Sequence, residues 1–314
     1  MRPPAELAAP PVGGGETPGR PADAPAGADL TALPARHAIA LGLMHGPAEL
    51  LPVSSSGHTT LVPWLLGWPY PSLDPELRKA FEVALHAGTA AGLLIALRGE
   101  VVAAAGGLDG RRLALIVGSF LPPAIAGLAF ERSIERRLGT PGSIAAGLVA
   151  GALAMIVADA RGGHGRPRES AGAVDALALG LGQAAALAPG LSRGGMTLAA
   201  ARMRGFDRPA ASALSRHVAL PVIAGAGVLK GVRLARRGLP PGFGGRLALG
   251  ASASFGSTLL AARLLPVERV GALWPYAAYR VGVAGLTWRR LRGEARLPGH
   301  AARRSDGRSP RVRA

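Results

Sequence analysis

The 314-residue chain has no cysteine, which excludes disulfide staples and thiolate metal sites at once. Charge is scarce too, with 18% charged residues against 49% hydrophobic. Aromatics supply only 4%, leaving little surface on which nucleic-acid bases could stack. Acids are scarcer than bases, with 19 Asp and Glu against 36 Lys and Arg, for a net charge of +17. Such a balance suggests nucleic acid until its location is read. Arg289, Arg290, Arg292, Arg296, Arg303, Arg304, Arg308, Arg311 and Arg313 all follow the last apolar run. A basic tail beside an apolar segment reflects the positive-inside rule and attraction to anionic lipid, and no nucleic-acid partner is expected.

The remaining charges sit in an N-terminal arm and in short connections, leaving several runs of about 17–22 residues long enough to cross a bilayer. Residues 1–33 are rich in Pro, Gly and Ala, lack the basic-then-apolar layout of a cleaved signal peptide, and are expected to be disordered. Residues 34–290 are expected to form one polytopic membrane domain, an all-α helical bundle, and residues 291–314 a disordered basic tail. Within the domain, helices are predicted over 80–97, 113–130, 142–158, 210–232, 246–265 and 270–288. Residues 98–112, 131–138 and 159–170 read as charged connections, the first with room for a short amphipathic piece. The tail places the C-terminus in the cytoplasm and, by counting back, Arg233–Arg237 on the same side. The first half of the topology stays open.

The chemistry is concentrated around residues 40–60. His45 and Glu49 stand four apart, on one helix face. Pro52 then ends the regular helix, and Ser54, Ser55, Ser56, Gly57 and His58 follow before the chain turns apolar again. An ionised carboxylate in an apolar helix costs about 2.5–3.5 kcal/mol on insertion scales, so Glu49 needs a partner, a metal, water or a raised pKa. One of the three serines is expected to cap the next helix, leaving the others as nucleophile or phosphate donors. His58, three residues past Ser55, is a candidate acid or base. Glu82 and His86 are again four apart, and Glu82 reads as an interfacial residue.

A second copy of this pattern lies 138 residues on (178 − 40): Ala178-Leu179-Gly180-Leu181 repeats Ala40-Leu41-Gly42-Leu43, and Ser192, Gly195 and Thr197 match Ser54, Gly57 and Thr59. Repeats interrupted by Pro and Gly point to a site built between broken helices. The second copy adds Arg193, whose planar guanidinium suits two phosphate oxygens at once. Gly194 and Gly195 let a phosphate approach the backbone, and a helix starting after them would aim free N–H groups at it.

Gly42–His58 (GLMHGPAELLPVSSSGH), Ala80–Gly88 (AFEVALHAG) and Gly182–Thr197 (GQAAALAPGLSRGGMT) resemble the undecaprenyl-diphosphatase, or bacitracin-resistance, family, over roughly residues 36–290. The resemblance implies a multi-pass enzyme of the bacterial inner membrane that dephosphorylates undecaprenyl diphosphate, a polyprenyl diphosphate, to the monophosphate carrier. It implies two re-entrant helix-loop-helix units in inverted repeats, an outward-facing site and a divalent ion, Mg2+ or Ca2+. By position, Glu49 is then the second acid of a Glu-x-x-x-Glu pattern, Ser55 the nucleophilic or phosphate-contacting serine, His58 the motif histidine and Arg193 the phosphate-binding arginine. Ser54, Ser56, Ser192, Gly194, Gly195 and Thr197 are the expected substrate-binding set, with Glu49 and His45 the metal ligands and a homodimer among the expectations. Three positions depart from the pattern. His45 stands where the family commonly has Glu or Gln, Gly194 where it has serine, and Arg216-His217 in a normally apolar stretch.

Either Ser55 or a water activated by Glu49 or His58 would attack phosphorus, and His58 could instead protonate the leaving oxygen. The alternative from another class is a transporter or flippase that uses the two loops to bind an anionic lipid or solute.

Overall fold

The computed structural model describes residues 33–107, 109–162, 165–237, 243–265 and 271–296. Eleven α-helices account for most of them: α1 (Ala35–Leu50), α2 (Ser55–Leu65), α3 (Pro75–Ala96), α4 (Arg98–Gly106), α5 (Gly110–Leu138), α6 (Pro141–Arg161), α7 (Ala173–Ala185), α8 (Arg193–Met203), α9 (Arg208–Arg237), α10 (Phe243–Leu264) and α11 (Trp274–Ala295). Among the described residues the β pairing is a single bridge between Arg166 and Phe206. The protein is an all-α polytopic bundle. Residues 75–96, 110–130, 141–161 and 243–264 are long and apolar enough to cross a membrane. Helices α9 and α11 are as long but carry more charge, including Arg280 in the first half of α11.

Several expected boundaries move, with α3 opening at Pro75 rather than 80 and α9 running on to Arg237 rather than 232. Residues 131–138, read as a loop, continue α5. Arg136 and Arg137 occupy its last turn, where cations oppose the helix dipole, and Lys79 of α3 pairs with Glu135 at 2.7 Å. Helix α11 runs through Ala295, beyond the expected start of the tail at 291. The N-terminal arm (1–32) and the tail from 297 lie outside the described residues.

The 138-residue repeat is carried in the helix boundaries. Ala35 and Ala173 open α1 and α7, Ser55 and Arg193 open α2 and α8, and Leu65 and Met203 close them. Each pair is a hairpin whose two ends meet. His37, at the start of α1, stacks on Trp68 just past α2, with ring centroids 4.2 Å apart. Its repeat partner Asp175, at the start of α7, accepts from Arg204 Nε just past α8 at 2.6 Å.

The hairpins enter from opposite ends of the bundle. Leu65 at the end of α2 accepts from Arg290, near the C-terminus of α11 (2.7 Å). At the other end, Asp175 also holds Arg166, Arg111 of α5 donates to Ala171 O, and Asp159 near the end of α6 ties Arg208 of α9 and the Leu273 N–H ahead of α11. Helices α6 and α11 therefore run antiparallel between the two ends. Phe243, opening α10, packs with Leu33 and Tyr70 at the first end. The start of α10 and the end of α11 thus lie at the same end of the bundle.

Small residues set the spacing. A methyl group added at Gly42 or Gly46 of α1 would strike Gly250 O or Ser257 Oγ of α10, and one at Gly88 of α3 would strike Ala251 O. The i, i+4 glycine pairs on α1 and α3 therefore let both backbones lie against α10. In the second half, Pro122 of α5 fills the notch left by Gly180 of α7. Pro123 has no N–H, so the carbonyl of Ser119 loses its helical donor. Gln183 of α7 supplies one at 3.0 Å.

Candidate active site

Both hairpins break in the same way. Ser54 and Ser192, 138 residues apart, are the only non-glycine residues with positive φ among those described, at 79° and 68°. A left-handed serine is strained by about 1–3 kcal/mol, and its hydroxyl offsets part of that by capping the helix it precedes. Ser54 Oγ accepts from Gly57 N–H at 3.3 Å and Ser192 Oγ from Gly195 N–H at 3.2 Å. The next residues, Ser55 and Arg193, thereby become the first of their helices, where backbone N–H groups lack helical acceptors.

The two breaks are tied together by Arg280, fully buried at 0% exposure. Its guanidinium donates to Pro52 O in the first break (3.0 Å), to Gly190 O (2.7 Å) and Leu191 O (3.0 Å) in the second, and to Leu148 O of α6 (3.1 Å). The carbonyls of Pro52, Gly190 and Leu191 are freed where the helices stop, and one planar donor fork answers all three while also anchoring on Leu148 O within α6. Sequence reading passed over Arg280, although a lone arginine inside the 270–288 apolar run is the signal that singled out Glu49.

From this clamp the reactive groups converge. Glu49, at the end of α1, has one carboxylate oxygen on Arg193 Nη2 at 2.9 Å and the other on the Ser55 hydroxyl at 2.5 Å. The Glu49 and Arg193 side chains are 8% and 19% exposed, a charged pair taken largely out of water. A cavity opens beside them, lined by Glu49, Arg193, Gly194, Ser215, Arg216 and Tyr276 among others. A side chain at Gly194 would meet nothing within 4 Å, so the glycine that departs from the family pattern leaves open space beside the arginine.

Other expected site residues lie elsewhere. His58 Nδ1 bonds Ser54 O at 2.7 Å and its Nε2 meets Tyr279 Oη at 2.7 Å. A carbonyl only accepts, so Nδ1 carries the proton and neither nitrogen is turned toward Glu49 or Ser55. Ser56 is exposed and faces Ser54 Oγ at 3.5 Å. Gly195 is pressed against Met155 and Arg280. Thr197 is fully buried, its hydroxyl on Arg193 O (2.9 Å) and Ser215 Oγ (2.5 Å). Gly195 and Thr197 thus stand behind the cavity wall, supporting Arg193 rather than facing a ligand. Arg216 lines the cavity, bonded to Ser212 Oγ at 2.8 Å, while His217 turns back onto Ala213 O.

His45 lies against the site from the other side, grouped with Glu49 and His86 so that one ligand atom of each falls within 4.8 Å of the others. The His45 and His86 rings meet edge to face, with centroids 4.5 Å apart.

The match to known proteins covers this whole arrangement. The family model described as bacitracin resistance protein BacA matches residues 38–286, from α1 into α11. The chain belongs to this family. A relative from Geobacter sulfurreducens, named undecaprenyl-diphosphatase, is 38% identical over 262 residues, covering 79% of this chain and 95% of that protein. Those of Geobacter metallireducens (38% over 259 residues, 78% and 94%) and Chromohalobacter salexigens (37% over 268 residues, 80% and 98%) carry the same name. What the BacA match leaves outside is the N-terminal arm and the basic end, so both hairpins, Arg280 and the cavity fall within it.

Proposed function

We propose that the chain is an undecaprenyl-diphosphatase, a multi-pass enzyme of the bacterial cell membrane that releases inorganic phosphate from undecaprenyl diphosphate and returns the monophosphate carrier. The observation that carries the mechanism is the Ser55–Glu49–Arg193 chain of hydrogen bonds, which draws its members from both hairpins. In this reading each hairpin re-enters the membrane from its own side, and the terminal phosphate sits where the breaks meet.

Arg193 swings from Glu49 onto the entering phosphate, with the first N–H groups of α2 and α8 adding positive field. Ser55 Oγ attacks the terminal phosphorus as Glu49 takes the hydroxyl proton. The bond from phosphorus to the bridging oxygen breaks, and undecaprenyl phosphate leaves with that oxygen. Water then attacks the phosphoserine, freeing phosphate and restoring the hydroxyl. Catalysis of this kind rests on positioning and on stabilising charge on the transferring group.

A divalent ion fits the donor set. His45 Nε2 is buried without a partner beside the Glu49 carboxylate and His86, and these three side chains would hold it. Bound there, it would supply Lewis-acid charge neutralisation next to the phosphate. Transport of an intact anion needs Arg193 and the helix ends but gives no reason for a serine hydroxyl bonded to a buried carboxylate.

Phosphate release from undecaprenyl diphosphate by the purified full-length protein in detergent tests the assignment. Glu49→Gln and Arg193→Ala are each expected to lower kcat/KM by about 100-fold or more, the cost of removing one preorganised charge-stabilising group. Undiminished release in both variants would overturn the residue roles, and movement of intact substrate across sealed vesicles without phosphate release would favour transport.

A further inference from the structure

The proton positions around His45 follow from the partners alone. Leu85 O only accepts, so the Ser254 hydroxyl at 2.9 Å must donate to it. Having spent its one proton, Ser254 Oγ accepts from Thr89 Oγ1 at 2.6 Å. Thr89 is left to accept from His45 Nδ1, at 2.8 Å. His45 therefore carries its proton on Nδ1, and its Nε2 holds a lone pair, fully buried and facing no hydrogen-bond partner. His86 is fixed likewise: Nδ1 donates to Glu82 O at 2.7 Å, leaving Nε2 as the free donor atom. An imidazole whose far N–H is held by an oxygen is the usual arrangement of a metal-ligating histidine.

We propose that His45, Glu49 and His86 form a one-ion site whose donors select a borderline transition metal, such as Zn2+ or Co2+, over Mg2+ and Ca2+. Two imidazoles and one carboxylate suit Zn and Fe, whereas Mg2+ and Ca2+ take oxygen ligands almost exclusively. Bonds of about 2.1 Å place two ligands of one ion at most about 4.2 Å apart. One ligand atom of each side chain already lies within 4.8 Å of the others, so a contraction of a few tenths of an ångström per residue closes the set. Both carboxylate oxygens of Glu49 keep lone pairs beyond those used by Arg193 and Ser55. Three protein ligands leave positions open for a phosphate oxygen. The ion's part in hydrolysis rests on the diphosphatase reading; its binding does not.

The test uses full-length protein in detergent, purified without a histidine tag, stripped with chelator and titrated separately with ZnCl2, CoCl2, MnCl2, MgCl2 and CaCl2. Isothermal titration and elemental analysis after removal of excess ion are the readouts, with the visible absorption of Co2+ as a signature of nitrogen ligation. The expected result is about one Zn2+ or Co2+ per chain, not displaced by a 100-fold excess of Mg2+ or Ca2+. His86→Gln should abolish retention, and Thr89→Val, which frees the His45 ring, should weaken it by about 10–100-fold. His45→Glu should shift preference toward Mg2+ and Ca2+. Wild-type protein that retains no transition metal, or His86→Gln protein that binds as the wild type does, would overturn the proposal. Phosphate release measured on the same samples separates the readings: release without a retained transition metal sinks this inference alone, and a retained ion without release sinks the hydrolase assignment alone.

Discussion

Arg216 places a second guanidinium on the cavity that Arg193 lines, and a diphosphate has two phosphates to grip. With Arg193 on the terminal phosphate, a grip by Arg216 on the lipid-side one would be present in ground and transition states alike. Uniform binding of that kind sets KM rather than kcat. Arg216→Leu is therefore expected to raise KM for undecaprenyl diphosphate by about 10-fold or more with kcat little changed, since a charge-assisted hydrogen bond contributes about 1.5–3 kcal/mol. Steady-state kinetics check this, and an unchanged KM would remove Arg216 from substrate binding. The sequence exposed the position as a charge in an apolar stretch but not which side it faced. His217, its neighbour in the same stretch, turns away onto its own helix.

At the scale of elements, each hairpin depends on a contact between its entry and its exit. In the second hairpin that contact is Asp175, bonded by Arg204, Arg166 and the Gly172 N–H. Burial alone would push its pKa up, but the hydrogen bonds from Arg166, Arg204 and Gly172 outweigh it and hold the carboxyl below its ordinary value of 3.8. A depressed carboxylate stabilises the fold fully above its unfolded pKa, and that contribution is lost as pH falls through the folded value. The melting temperature of the wild type should therefore hold down to about pH 4 and drop below it, while Asp175→Asn should start lower and show a flatter acid limb. Thermal unfolding in detergent across pH 3–7 reads both, and parallel curves would contradict the assignment.

Much at this scale was legible beforehand. Pro52 marked the first break, and the 138-residue offset matched Ser54 to Ser192, the residues that directly precede α2 and α8; α8 nevertheless begins at Arg193, ahead of the glycines after which it was expected. Capping by one of the three serines was expected, and the left-handed backbone at Ser54 identifies which. Residues 131–138 were misread because charge density says nothing of helicity once an ion pair such as Lys79–Glu135 anchors the end. His58 bonds Ser54 O and Tyr279, and proximity in sequence to Ser55 does not say which way a ring turns. Its partner Tyr279 lies 221 residues away, beyond the reach of any local pattern.

For the whole molecule, Arg280 sits where two broken helices and two through-going ones meet. It has no carboxylate partner among its hydrogen bonds, only backbone carbonyls and Met155 Sδ. A buried charge balanced by carbonyl dipoles alone is costly to keep and costlier to disturb, since its loss strands those carbonyls together. Arg280→Met is expected to destabilise the protein by about 3–5 kcal/mol, the scale of a broken buried charge network. Arg280→Lys should fail to rescue it, because one ammonium cannot reach three carbonyls spread across two breaks and a fourth on α6. Thermal unfolding and phosphate release together check this, and a lysine variant of wild-type stability would show that charge alone suffices.

The central claim is that one hairpin supplies the nucleophile and its base while the other holds the phosphate, all acting on one group. A double-mutant cycle on kcat/KM with Ser55→Ala and Arg193→Ala tests it most directly. Groups that act as a unit lose most of their effect together, so the double variant should be little slower than the slower single variant. If the two losses instead multiply in full, Ser55 and Arg193 act independently and the shared site is refuted.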